Sequence, residues 1–212
     1  MYSRVVLAAV LAVVACLASA ADLTVRVTTE DGKPLIDAVL FLPGVALPAG
    51  SAAQKRATVA QRNRVFDPFV TVIEKGSAID FPNEDTMLHH VYSFSPAKRF
   101  EIKLYKGTPP APVAFDTPGI VVLGCNLHDW MLAYVVVLDT RIHAKSDSNG
   151  NARLAGIPAG SHDLMAWYPG MREPVRLQQI ELRADESKRI EAKLNVPLKT
   201  RPKAPPLDPM RY

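Results

Sequence analysis

The sequence predicts an all-β protein built from two small sandwiches. Short alternating or β-branched apolar runs recur along the chain, each bounded by Gly, Pro, Asn or Asp, which is the pattern of a sandwich or barrel. No long segment carries convincing helical periodicity; only Asp185 to Lys193, "DESKRIEAK", fits a short helix. The texture also changes after Asp139, where turn signals and strands of a different character begin.

Taken in order, the chain opens with Arg4 ahead of an apolar run, Val5 to Leu17, closed by Ala18, Ser19 and Ala20. This is the pattern of a secretory signal peptide over residues 1–20. The run is too short for a bilayer span, which takes about 20 apolar residues, so no stable membrane insertion is expected once it is cleaved. "VVAC" at 13–16 loosely resembles a lipoprotein cleavage box, which would leave Cys16 lipidated; the small-residue site after it is the better match. Either way the chain leaves the cytoplasm.

Residues 21–50 hold two strand runs, Leu23 to Thr28 and Ala38 to Leu42, and Val45 to Ala57 reads as a linker or long loop. Residues 55–140 hold six more: Phe69 to Ile73, Ala78 to Phe81, His90 to Phe94, Phe100 to Tyr105, Ile120 to Gly124 and Ala133 to Leu138. Residues 141–196 begin with an Asn-Gly turn at 149–150, a strand, a Pro-Ala-Gly turn and a strand ending at Trp167. "DSNG" at 147–150 reads as a plain turn, since it lacks the alternating acidic ligands of a calcium loop and has Pro158 where the closing Glu should fall. Residues 197–212 are Pro-rich, lack periodicity and read as a disordered tail.

The formal net charge of +4 falls by one when Arg4 leaves. That balance is mild and scattered, with no basic stripe carrying interleaved aromatics, so nucleic acid is not an expected partner. Of the 2 cysteines, Cys16 leaves with the signal, and Cys125 has no internal disulfide partner even in an oxidising compartment.

That unpaired thiol lies in "GCNLHDWM", where Cys125, His128 and Met131 follow one another at intervals of three residues. A strand ending at Cys125 and a tight loop can bring all three to one centre, and "FPNEDTMLHHVYSFS" can add a histidine from a neighbouring strand. Two imidazoles, one thiolate and a thioether are the ligand set of a mononuclear blue-copper centre. Adjacent residues on a strand face opposite ways, so only one of His89 and His90 can enter the site.

"FVTVIEKGSAIDFPNEDTMLHHV" and "FDTPGIVVLGCNLHDWMLAYVVV" together make residues from about Ala57 to Asp139 resemble a cupredoxin. The phrasing is similar to periplasmic plastocyanin-like proteins of the methylamine-utilisation type. The resemblance implies a Greek-key sandwich, one copper ion cycling between Cu(I) and Cu(II), ligands His89, Cys125, His128 and Met131, and single-electron exchange with periplasmic redox proteins, with amine oxidation as the associated process. It also implies that His90 stands where the family commonly has an Asn tethering the ligand loop. His90 is then either a similar tether or a solvent-facing side chain. Asp129 stands where many relatives have Pro. In related proteins the loop histidine lies nearest the surface among apolar side chains, here Leu127, Trp130 and Leu132. The segments "LTVRVTTEDGKPLIDAVLFLPG" and "SDSNGNARLAGIPAGSHDLMAWYPG" resemble the two halves of a carboxypeptidase regulatory-like, transthyretin-type sandwich. We therefore expect that sandwich to be split, with the cupredoxin inserted, and to have no chemistry of its own.

Other readings of the same residues fare less well. A cysteine nucleophile with His128 as base needs a thiolate at a helix N-terminus or beside a cation, and a group orienting the histidine. Zinc seldom selects a thioether. A binuclear copper centre needs two bridging thiolates, and a copper enzyme needs further ligands, whereas His143 and His162 are single and scattered. A copper carrier is the alternative function, though such proteins expose several Met and His in open sites.

Overall fold

Alternation along the chain produces strands, and the partners they find decide the layers. The structure, a computed structural model, describes residues 20–45 and 56–206. The signal-peptide reading, with Arg4 and Cys16, therefore lies outside the described residues apart from Ala20, as do residues 207–212. Every regular element described is a strand. In chain order these are β1 (Ala20–Thr29), β2 (Val39–Phe41), β3 (Arg56–Thr58), β4 (Ala60–Arg62), β5 (Val65–Asp67), β6 (Val70–Glu74), β7 (Ser77–Asp80), β8 (His89–Ser95) and β9 (Lys98–Tyr105). There follow β10 (Val113–Phe115), β11 (Gly119–Gly124), β12 (Leu132–Leu138), β13 (His143–Lys145), β14 (Asn151–Pro158), β15 (Gly160–Trp167), β16 (Val175–Leu182) and β17 (Ser187–Leu194).

The first strands of the chain and those after residue 140 share one core. β1 lies between β14 and β17, and β2 between β13 and β15 with β16 beyond. The inward residues of the two sheets, among them Leu23, Val25, Leu40, Leu154 and Leu164, are fully buried against one another. The intervening strands build a second sandwich, a five-stranded sheet β6-β12-β11-β8-β9 facing the three-stranded β10-β7-β3, around Phe81, Phe115, Val121, Leu123 and Val135.

β12 explains how the two sandwiches meet. Its sequence "LAYVVVL" does not alternate, because both faces are covered: Ala133, Val135 and Val137 enter the second core, while Tyr134, Val136 and Leu138 pack on Val39, Phe41 and Trp167 of the other sandwich. A strand with no wet face reads as a continuous apolar run.

Two expectations are corrected. Residues Ser187–Leu194 form a strand, not the short helix expected near Asp185 to Lys193; β17 pairs in parallel with β1 from Asp22↔Ser187 to Thr29↔Leu194. Its helix-forming Glu, Lys and Ala are overridden because Ala192 and Leu194, two apart, bury on one face only in the extended form. The loop expected over Val45 to Ala57 stops short, since Arg56 and Ala57 belong to β3 and pair with Ala78 and Ile79; residues 46–55 lie outside the described residues. "DSNG" is a turn, in which the Asp147 carboxylate accepts the N–H groups of Asn149 and Asn151 at 2.8 and 2.9 Å. Residues 197–206 of the tail carry no strand but are tied down: the Lys199 N–H donates to the Tyr168 hydroxyl, and the Arg201 guanidinium makes two bonds, 2.8 and 3.0 Å, to the buried Asp37 carboxylate.

Candidate metal centre

Three of the four residues singled out from the sequence converge. The ligand atoms of His89, Cys125 and His128 all lie within 4.8 Å of one another. Their side chains are removed from solvent, the residues being 0%, 4% and 2% exposed. Met131 is 2% exposed and sits in the same core as Cys125; its N–H donates to the His128 carbonyl at 2.9 Å, closing the loop on itself. His143 and His162 do not join the cluster, the His162 ring instead lying 2.8 Å from the Pro158 carbonyl.

Local structure delivers each ligand. β11 ends at Gly124, which pairs with Tyr92 of β8, and a side chain at 124 would meet the Tyr92 ring at 2.7 Å. Only glycine lets the Tyr92 ring lie this close over the end of β11. β8 starts at the site, and its pairing with β9 shifts register between His89 and Val91; such a bulge re-aims side chains at a functional edge. Ahead of it, the buried Asn83 side chain donates to the carbonyls of Met87 and Tyr105 and accepts the Asp85 N–H, fixing the loop that leads into His89.

The histidine pair separates as strand geometry requires. The His89 ring enters the cluster, with Nε2 at 2.8 Å from Asp85 Oδ2 and Nδ1 buried without a hydrogen-bond partner. The His90 ring is 4% exposed and points elsewhere, its Nε2 3.0 Å from Glu101 Oε1. His90 is thus not solvent-facing, and the link it offers the sulfur is its backbone N–H.

The electrostatics favour a negative sulfur. Burial by itself would push the Cys125 thiol up, but the His89 ring and the N–H groups of His90, Leu127 and His128 outweigh it and hold the thiol below its usual value. Burial also disfavours the His89 cation, yet the Cys125 sulfur and the Asp85 carboxylate offset that and raise its pKa. His128, 4.0 Å from the sulfur through Nδ1, is pushed down by burial and by the positive charge of His89 and Arg64. A buried thiol held below its usual pKa and facing two buried imidazoles is an arrangement for a soft cation. Asp85 and Arg64, which border the rings, went unmarked in the sequence, where Trp130 stood only as an apolar neighbour of the loop histidine.

No family model matches the chain, and no curated protein matches it. Similar solved structures include a purple cupredoxin from Nitrosopumilus maritimus, 19% identical, covering 39% of this chain and 99% of its own, with a TM-score of 0.35. A reduced Cu(I) variant of amicyanin is 17% identical over 47% of this chain and 98% of its own, with a TM-score of 0.36. A copper-containing nitrite reductase from Thermus scotoductus is 22% identical over 44% of this chain, with a TM-score of 0.37, and the match spans 25% of that reductase. At such distances the chemistry of the site is read from its own residues.

Proposed function

We propose that this chain is a mononuclear type 1 copper protein that passes single electrons between redox partners. One observation carries the reading: His89, Cys125 and His128 bring one sulfur and two imidazoles within 4.8 Å of one another, all three buried. These three would hold the ion, and Met131 would supply the thioether. Copper bound there supplies reversible one-electron chemistry, since sulfur suits the reduced ion and imidazole both states. The protein's share is to keep the thiolate deprotonated, hold the rings in a packed core and exclude water. The burial of all four side chains supports an electron carrier over a carrier of exchangeable copper, which would need an open site. Residues 55–140 form the copper domain in this reading, the flanking strands a docking or structural module, and the signal-like N-terminus supports a periplasmic location. The sequence resemblance supports amine oxidation as the process served.

Copper titration of the purified mature protein tests the proposal. One ion should bind and give an intense visible band, and Cys125→Ser should abolish the band while far-ultraviolet circular dichroism still reports the β fold. Full colour in the serine variant would overturn the assignment; a colourless, readily exchanged ion in the wild type would favour copper transport.

A further inference from the structure

We propose that the two-residue turn between β4 and β5 braces both ring ligands of the centre, with Asp85 and Trp130 as its two arms. The inference rests on the copper reading for its purpose, but the brace itself is made of contacts within the protein.

β4 and β5 pair antiparallel as a hairpin whose turn residues, Asn63 and Arg64, have φ of 54° and 58°. Two consecutive left-handed residues are what a two-residue hairpin demands, and glycine is preferred at the second. An arginine there is strained and needs outside support. Asp85 provides it: its carboxylate accepts the Asn63 N–H at 2.7 Å through Oδ1 and the Arg64 N–H at 2.8 Å through Oδ2. The same Oδ2 lies 2.8 Å from His89 Nε2. A carboxylate only accepts, so a ring proton of His89 is held on Nε2, which leaves Nδ1 as the atom a metal would take.

The other arm leaves from the same turn. The Arg64 carbonyl accepts the Trp130 indole N–H at 2.9 Å. The indole packs against His128, ring centroids 4.9 Å apart, and the Arg64 guanidinium lies over the indole at 5.9 Å. His89 starts β8 and His128 sits in the loop after β11, yet one turn from a third element reaches both. Asp85 and Trp130 are therefore positioning residues.

The test begins without copper. In the apo-protein, ring nitrogen shifts should report the Nε2–H form of His89, and the Trp130 indole proton should be protected from exchange. Asp85→Leu should lose the Nε2–H preference and, through the loosened turn, speed indole exchange at least about tenfold; Asp85→Asn is the milder variant should the first not fold. Indole exchange unchanged in a folded Asp85 variant would overturn the brace, whatever the copper result. In the loaded protein, Asp85→Asn should weaken Cu(II) binding by about 10–100-fold, the usual cost of losing such a partner, and raise the reduction potential. Trp130→Phe, which keeps the ring but not the N–H, should alter the visible band, and the double variant should fall short of the product of the singles because both act through one turn. A wild type that shows both apo signatures but takes up no copper would overturn the copper reading and leave the brace standing.

Discussion

The two adjacent histidines are told apart by where their rings lie. The His89 ring has Nε2 on Asp85 and faces the Cys125 sulfur and the His128 ring, the three ligand atoms lying within 4.8 Å of one another. His90, one residue on, is as deeply buried, with Nε2 on Glu101 and Nδ1 likewise without a hydrogen-bond partner, but only the His89 ring lies within 4.8 Å of the Cys125 and His128 ligand atoms. His89→Ala should therefore lose the visible copper band, and His90→Asn should keep it with at most a changed potential. Absorption and EPR spectra of the two loaded variants decide this; loss of the band in His90→Asn alone would reverse the assignment.

The ligand loop, Cys125 to Met131, is the element that faces outward. Its histidine is 2% exposed, but Leu127 beside it is 51% exposed, and Leu88 and Leu104 stand out from the neighbouring β8 and β9 region. A shallow hollow of His90, Glu101, Lys103, Leu104, Asn126 and Leu127 joins the loop to β9. Redox encounters use small interfaces, under about 1,200 Å², so one charge should matter there. Leu127→Asp should cut the rate of electron transfer to the native partner at least about tenfold while leaving the visible spectrum nearly unchanged, as read by stopped-flow kinetics. Unchanged rates would place the exit elsewhere, with the hollow on the Tyr92 and Phe94 side, which reaches Cys125 and Met131, next in line.

Across the molecule the two sandwiches are not beads on a string. Tyr134 packs edge-on against Trp167 at 5.2 Å and against Phe69 at 5.5 Å, and Trp167 is fully buried with its indole N–H on the Met171 carbonyl. Trp167→Ala should cost about 3–5 kcal/mol, measured by chemical denaturation; a loss under about 1 kcal/mol would show that the sandwiches do not share this core. The C-terminal segment adds a second tie, because Arg201 answers the buried Asp37 carboxylate and the Pro205 carbonyl accepts from Arg64 at 2.6 Å. Removing one partner of a buried charged group leaves it unsatisfied, so Arg201→Ala should destabilise by about 1–3 kcal/mol, softened where Lys145 lies 3.5 Å from Asp37.

The all-β class, the strands of the long alternating runs and the spacing of Cys125 and His128 were legible in the sequence, because each depends on local pattern: period two along a strand, three residues around a loop. Strand alternation showed only that one of His89 and His90 faces inward, and the choice of His89 rests on the family resemblance. The short strands β3, β4 and β5 and the parallel strand β17 were not, since their residues carry little apolar pattern and are extended only because a neighbour supplies the ladder. The unbroken apolar run of β12 was visible, but what covered its second face was not. Asp85 and Arg64 became part of the site only in three dimensions, and so did the hydrogen bond that ties Trp130 to the Arg64 carbonyl. A carboxylate, an indole and a turn carbonyl are ordinary residues at their own positions, and only the folded backbone, by closing a hairpin between two distant loops, brings them to the same pair of rings.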